Sequence, residues 1–365
     1  MHRPAETRSR VIFCRGALAT ERRLFEEIDE ILVGPTDLGR PLRIIVPSKS
    51  LRQHVLCQVV KRRGAAAGVV VQTAFSAARE ILDLAGAVPA AGDSFFELVV
   101  RRLAAGESSL SSSLENLDDG YGTVVGVVRD LLDAGYEPGH EDAVLDRLED
   151  LERPVTGKRL ERARAIVRIA ARSYEAMLVA GSWRSSHSFE SAKSLVLENG
   201  EAVLPSSAVL IHGFADVTGL VADFLESLVR TYPTTILIDR PERPGASGRS
   251  EPGLRFLERL ESRFSNLDNE EDRVATEPAQ VLLTEGGDVE SEARWVAERT
   301  RKLIDDGVAA EEIGIVARLF DGLAYPLRRH LYRIGVPFSG IGEMVAGGRN
   351  RRDVLRLIEV LRTGQ

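Results

Sequence analysis

The chain is poor in cysteine, in clustered histidines and in long apolar runs. Its 365 residues include two cysteines, Cys14 and Cys57, so a four-cysteine zinc or iron–sulfur site cannot be built from them, and no disulfide framework is indicated. The sequence has no run of about 18 apolar residues, which excludes a transmembrane helix. The first ten residues, MHRPAETRSR, lack the apolar segment of a signal peptide. We therefore predict a cytoplasmic protein with no membrane partner.

The usual catalytic signatures are also missing. The six histidines are scattered and none has the HExxH spacing of a zinc site. The sequence contains neither a Gly-x-Ser-x-Gly elbow nor a clear nuclease core of acidic residues and lysine. We assign no catalytic residue and no metal ligand. A net charge of −7 argues against a wholly basic binder, although a local basic patch remains compatible with a nucleic-acid groove.

The sequence does contain an alternation of short apolar runs and amphipathic segments. Apolar runs at 11–14, 42–46 and 69–72 each precede a helical pattern, and the alternation resumes with runs at 208–211 and 235–238. Strands and helices that alternate at this spacing form a parallel sheet with right-handed crossovers. The sequence therefore predicts an α/β fold.

The chain is long enough for two or three units. From about Gly86 the apolar pattern is helical only, so we expect residues 1–85 and 200–270 to form the α/β unit and residues 86–199 to be a helical insertion. Two stretches are predicted to be linkers, the Ser-rich Glu107–Ser113 and the acidic Asn266–Thr276. Residues 278–365 form a second α/β unit, with predicted strands at Gln280–Leu283 and Ile313–Ala317. These strands are too few to complete a sheet, so we expect the second unit to be incomplete.

The turn after the first predicted strand lies where a phosphate-binding loop would be expected. Such a loop needs several glycines, a lysine for the phosphates and a hydroxyl for Mg²⁺. The segment Gly16–Glu21 has one glycine and no lysine, and Glu21 lies at or beside the position of the metal ligand. Arg22 and Arg23 could pair with an anion, but they lie on the predicted helix rather than in the loop. Two interpretations remain open, a vestigial turn and residual anion binding at the helix N-terminus.

Residues Val209–Leu228, VLIHGFADVTGLVADFLESL, predict a buried strand that leads into a helix. In nucleotide-driven motors of the UvrD/RecB class this strand ends in Asp-Glu-x-Gln-Asp, where the first Asp holds Mg²⁺ and the Glu orients the attacking water. The corresponding residues here are His212, Gly213, Ala215 and Asp216. Both carboxylates are therefore replaced. We interpret Gly16, Arg22, His212 and Asp216 as the remnant of a nucleotide site.

Polar and basic residues follow the second and third strands, at the edge of a parallel sheet where ligands bind. We predict that single-stranded DNA contacts this edge through hydroxyls, cations and one aromatic ring, namely Ser48, Lys49, Arg52, Gln72, Thr73, Phe75 and Ser76. The alternative is helix capping by the hydroxyl groups, with Phe75 in the core. A further basic segment, 158–172, is either a solvated helix face or a phosphate-binding surface.

Several of these segments resemble one helicase superfamily. VQTAFSAAREIL at 71–82 resembles the Thr-Phe-His-Ser segment that follows the third strand of UvrD/RecB-type helicases, with Ala74 and Phe75 in place of Phe and His. The sequence from Val281, VLLTEGGDVESEARWVAERTRKLIDDGVAAEEIGIVARLFDGLAYPLRRHLYRIGVPF, resembles the start of the second motor lobe. The degenerate turn at 16–21 and the His-Gly-Phe at 212–214 resemble AddB-type subunits, the motor-inactive partners in AddAB helicase–nucleases.

This resemblance implies a RecA-like lobe interrupted by a helical insertion and followed by the start of a second RecA-like lobe. It also implies a non-hydrolytic DNA-binding scaffold for double-strand-break repair and recombination. Such a scaffold would guide single-stranded or forked DNA beside an AddA-like motor subunit, without bound ATP or Mg²⁺. Family members carry a C-terminal nuclease domain, often with an iron–sulfur cluster, whose motifs are not in this sequence. Two alternatives remain, an active ATP-dependent UvrD-like helicase and a purely structural partner-binding module.

Overall fold

A computed structural model describes residues 9–33, 37–87, 90–91, 93–114, 119–150, 155–183, 185–214, 217, 219–239, 254–264, 268–271, 281–317 and 322–340. The chain divides into two compact units, Met1–Glu277 and Pro278–Gln365. The candidate functional site lies in the first of them.

The first unit is built on a six-stranded sheet in which every pair of neighbouring strands is parallel, in the order β3-β2-β6-β7-β1-β8. The first three strands alternate with helices: β1 (Arg10–Cys14), α1 (Ala17–Ile31), β2 (Leu42–Val46), α2 (Lys49–Arg63), β3 (Val69–Thr73) and α3 (Ala74–Leu84). The predicted α/β fold is confirmed, and the parallel sheet is consistent with a RecA-like lobe.

A mainly helical segment follows α3, and the chain then returns to the sheet. The segment comprises β4 (Ala90–Ala91), α4 (Asp93–Ala105), α5 (Ser108–Leu114), α6 (Gly120–Asp133), α7 (Glu141–Glu149), α8 (Lys158–Val179), β5 (Ser182–Trp183) and α9 (Ser185–Val203). The returning elements are β6 (Ala208–His212), α10 (Gly219–Thr231), β7 (Thr234–Asp239), α11 (Leu254–Arg263) and β8 (Asp268–Glu271).

Both faces of the sheet are covered by helices, which explains why its inner strands are largely apolar. Alternate residues of β6 show this, because Val209 and Ile211 pack in one apolar cluster with helices α3, α9 and α10, whereas Leu210 packs in the other with α1 and α2. The second cluster includes Phe25 of α1 and Val55 of α2. The carboxyl ends of the strands are thereby held in a fixed row.

The helical segment has a core of its own. Phe96, Val100, Val128 and Met177, from α4, α6 and α8, are buried together. Most of helix α9 lies within the predicted insertion 86–199, but its side chains Phe189, Ala192 and Val196 belong to the core on the sheet. Helix α9 therefore packs mainly with α3 and α10, and His187 near its start contacts Tyr174 of α8.

Two predicted linkers are in fact regular structure. The Ser-rich segment 107–113 is largely helix α5, because Leu110 and Leu114, four residues apart, insert into the core of the helical segment. Part of the acidic segment 266–276 is β8, a sheet-edge strand parallel to β1. The acidic sequence gave no apolar signal for this strand. The strand forms because its pairing with β1 is made by backbone hydrogen bonds, which do not depend on apolar side chains.

The second unit contains α12 (Val289–Asp305), a short 3₁₀ turn (Ala310–Glu312) and α13 (Ala324–Arg333). Ala293 and Ala297 of α12 pack on Leu327 and Leu331 of α13. The strand predictions at 280–283 and 313–317 are wrong for the residues that the structure describes, since 281–283 and 313–317 lack sheet pairing. No adjacent strand is present among the described residues of this unit to pair with them.

Across the residues that the structure describes, no helix has the length and apolar character needed to span a bilayer.

Candidate functional site at the carboxyl edge of the sheet

The turn between β1 and α1 has two residues, Arg15 and Gly16. Gly16 has φ 93°, and its N–H donates a hydrogen bond to Asp239 Oδ1 at 2.9 Å. A phosphate-binding loop instead wraps several successive N–H groups around the anion. A carboxylate from the end of β7 therefore already occupies the donor that a phosphate would use, and its negative charge opposes a second anion.

The charged side chains at the start of α1 are paired within the protein. Arg22 Nε lies 3.3 Å from Glu26 Oε1, one turn further along the same helix. Glu21 Oε2 lies 2.9 Å from His54 Nε2 of α2. Arg22, which the sequence assigned to a nucleotide remnant, is thus held by a carboxylate of its own helix.

His212 ends β6 and is 7% exposed. Burial lowers the pKa of His212 from 6.5 to about 4; the charge of Glu21 opposes this shift and that of His54 adds to it. Its imidazole is therefore neutral near pH 7. Its Nδ1 is closed to solvent and has no hydrogen-bonding partner in the described part of the chain. A neutral imidazole is a poor substitute for the carboxylate that Mg²⁺ prefers.

Gly213 follows with φ 81°, and a Cβ atom at this position would lie 2.4 Å from Leu51 Cδ2. The backbone after β6 thus packs directly against α2. Asp216, the last residue of the predicted nucleotide remnant, lies outside the described residues. Within the described ranges, no group of three or more His, Cys, Asp or Glu side chains is arranged to hold a metal ion.

The loop after β2 presents cations. Ser48 caps α2, with its Oγ accepting a hydrogen bond from Leu51 N at 3.1 Å. Lys49 is exposed and Arg52 is half-buried, and neither makes an ion pair with any residue that the structure describes. Two positive charges without carboxylate partners therefore lie in the first turn of α2.

The predicted DNA contacts at the end of β3 fall into two groups, side chains bonded within the protein and one exposed ring. Thr73 Oγ1 accepts a hydrogen bond from Ser76 N at 3.1 Å and lies 2.8 Å from Ser76 Oγ, which is the capping arrangement. Gln72 is buried, with its Oε1 accepting a hydrogen bond from Arg43 at 2.8 Å and its amide nitrogen donating to Glu80. These three side chains serve the fold.

Phe75 differs from these capping and buried residues. Its ring is 42% exposed and meets Phe189 edge to face, with centroids 6.1 Å apart. The predicted alternative of a core position for Phe75 is therefore not what the structure shows. An exposed aromatic ring at a sheet edge offers a face on which a nucleic-acid base can stack.

Lys49, Thr73 and Phe75 line one cleft of about 670 Å³. The cleft continues onto Phe214, after β6, and onto Asp130 and Asp133 of α6. Its lining does not include Ser48, Arg52, Gln72 or Ser76. The structure thus brings together a cation and an aromatic ring from two successive strand ends, opposite an acidic wall.

Comparison of this sequence with protein-family models and with curated proteins finds no match.

Sequence reasoning missed Phe189, Phe214 and Asp130. Phe214 follows a strand end by two residues, so the rule that located Phe75 also applies to it. Phe189 and Asp130 lie on helices distant in sequence and reach the cleft through tertiary packing, for which no local pattern exists.

Proposed function

We propose that this chain is a non-hydrolytic, helicase-like DNA-binding module that resembles AddB-type subunits and guides single-stranded DNA across the carboxyl edge of its sheet. The observation that supports it is that Lys49 lines the same cleft as the exposed ring of Phe75, with Arg52 in the same turn of α2. Neither cation has a carboxylate partner among the described residues. Single-strand binding has two components, cations that contact the phosphates and an aromatic ring on which the bases stack.

The absence of hydrolysis is proposed on separate grounds. The turn before α1 is only two residues long and its Gly16 N–H is already bonded to Asp239, and the strand end at His212 presents a neutral imidazole in place of a carboxylate. Phosphoryl transfer depends on metal and donors that stabilise the charge of the transferred group. In this proposal the motion along DNA is supplied by an AddA-like motor partner.

Binding of a fluorescent single strand of about 20 nucleotides, followed by anisotropy at several salt concentrations, tests the DNA contact. Lys49→Ala with Arg52→Ala should weaken binding and reduce the salt slope by about 1.4, because each phosphate contact in a single strand contributes about 0.7. Phe75→Ala should weaken binding by about 1–3 kcal/mol with little change in slope. Lys61→Ala with Arg299→Ala removes the same charge elsewhere and should leave binding near the wild-type value.

ATP turnover separates the competing functions. We expect no hydrolysis with or without single-stranded DNA. Turnover that is stimulated by DNA and abolished by changes at 16–22 would establish the active-helicase alternative instead. No oligonucleotide binding in any arm would favour the structural partner-binding module.

A further inference from the structure

Helix α8 carries an excess of positive charge that the proposed single-strand site does not use. Its 22 residues include two acidic residues and six basic ones, in a chain whose net charge is −7. The six basic side chains are all exposed: Lys158, Arg159, Arg162, Arg164, Arg168 and Arg172. The opposite side of the helix, including Ala165, Ile169 and Met177, is buried in the core of the helical segment. The exposed side is therefore a cationic face on a rigidly packed helix.

Most of these cations have no ion-pair partner within the described part of the chain. Arg168 pairs with Glu107 at 2.9 Å, but the other five make no ion pair with the residues that the structure describes. An ordinary solvated helix mixes both signs. Helix α12 is such a helix, since Glu290, Glu292 and Glu298 alternate with its basic residues and Arg301 pairs with Asp305.

The arrangement of charge on α8 disfavours the helix itself. Lys158 and Arg159 occupy the first turn, where the helix dipole is positive; Glu161 is the one acidic residue there, and Gly157 provides no side-chain cap. Arg164, Arg168 and Arg172 are spaced four residues apart, so like charges are neighbours on one row. Helix stability therefore does not account for these residues, and an external polyanion would relieve the repulsion.

The chemistry of this face identifies the polyanion. The row from Arg164 to Arg172 extends for about 12 Å along the axis, a length over which duplex DNA presents several phosphates. The aromatic residue of the helix, Tyr174, is half-buried and stacks on His187 with centroids 5.0 Å apart. A face without an accessible ring lacks the stacking platform of a single-strand site. A membrane surface is disfavoured as well, because the large apolar side chains exposed on α8, Leu178 and Val179, lie at the end of the helix and not among the arginines.

We propose that the exposed basic face of α8 binds the phosphate backbone of duplex DNA, as a second surface separate from the single-strand edge at Lys49 and Phe75. This inference rests on the proposed function in taking DNA as the polyanion. At a DNA fork, the α8 face would bind the duplex through its phosphates alone. The sheet edge would bind the single strand through both its phosphates and its bases.

The test compares a blunt duplex of about 30 base pairs with a single strand of the same length, both titrated with the full chain at several salt concentrations. Arg162→Gln, Arg164→Gln and Arg172→Gln together remove three charges while keeping good helix formers. If each arginine contacts one phosphate, the salt slope for duplex binding should fall by about 2.7 in this variant. Raising the salt from about 50 to about 200 mM should then reduce the duplex affinity of the wild type about forty-fold more than that of the variant. Single-strand binding should change less than twofold. Arg162→Lys, Arg164→Lys and Arg172→Lys together should keep duplex binding near the wild-type value, since only charge is required.

The matched control is Arg294→Gln, Arg299→Gln and Lys302→Gln, which removes three exposed charges from the mixed-sign helix α12. A circular-dichroism melt of each variant establishes that it is folded. Equal duplex affinity and salt slope for the α8 and α12 variants would overturn the proposal, and so would a loss of single-strand binding as large as that of duplex binding. Duplex binding that depends on α8 in a protein with no single-strand binding would instead refute the single-strand proposal and leave this one standing.

Discussion

The buried imidazole of His212 makes the stability of the fold depend on pH. Burial lowers its pKa from 6.5 to about 4, so the folded chain holds His212 neutral over a range in which the unfolded chain protonates it. The unfolded state then binds more protons, and stability falls as the pH falls. The contribution is fully present above about pH 6.5 and is lost progressively down to about pH 4. A shift of about 2.5 units corresponds to about 3 kcal/mol.

His212→Leu removes the titrating group and the buried Nδ1 atom with little change in volume. Urea unfolding followed by far-ultraviolet circular dichroism, repeated between about pH 7 and about pH 4, gives the free energy of unfolding at each pH. Over this range the wild type should lose about 3 kcal/mol more than the variant. The neighbouring charges are those of Glu21, which favours protonation, and His54, which opposes it, so both are kept in the variant.

His140→Gln is the control, because His140 is exposed and its loss should leave the wild-type pH dependence in place. The reasoning is refuted if His212→Leu and wild type lose stability in parallel as the pH falls. That result would mean that His212 takes up its proton as readily in the folded protein as in the unfolded chain, so burial would not be holding the imidazole neutral.

Three further changes test the local structure, each by urea unfolding. Arg43→Ala should cost about 2–3 kcal/mol, since the guanidinium is 5% exposed and pairs with Glu80 at 2.8 Å, while the carboxylate retains partial access to solvent; a cost below about 1 kcal/mol would contradict the buried network. Gly213→Ala should cost about 1–2 kcal/mol from its positive φ alone, and adding Leu51→Ala should relieve the contact but not the backbone cost. Thr73→Ala should cost about 1 kcal/mol through loss of the α3 cap, and an unchanged midpoint would exclude that role.

The sheet was predictable because its signal is local. Apolar runs such as Leu42–Val46 are buried on both faces, and each is followed by a helix whose own pattern is clear. The edge strand β8 gives no such signal, since its sequence is DNEE. It is held by backbone pairing to β1 and by Glu270, which lies 3.0 Å from Arg23 and 3.6 Å from Arg10. Such contacts join residues about 250 positions apart, so no sequence window contains them.

The candidate site was predictable to the extent that it depends on strand ends. Lys49 and Phe75 were found because parallel strands bring their carboxyl ends to one edge. Gln72 lies on the same edge, but its side chain is turned into the network of Arg43 and Glu80. The sequence pattern cannot distinguish an exposed residue such as Lys49 from a buried one such as Gln72. The alternation of apolar and polar residues along a strand indicates which face of the sheet a side chain lies on, but not which group its polar atoms bond to.

Two features of this edge reduce its need for a ligand. At Gly16, the carboxylate of Asp239 supplies within the chain the negative charge that a bound anion would bring to the N-terminus of α1, an interaction worth about 0.3–1 kcal/mol. At His212, burial keeps the imidazole neutral near pH 7, so this strand end adds no charge that a metal would have to balance. The proposed function draws on this property: an edge that is stable without phosphate or Mg²⁺ can keep one shape, and a fixed shape is what the proposed passive guide for DNA requires.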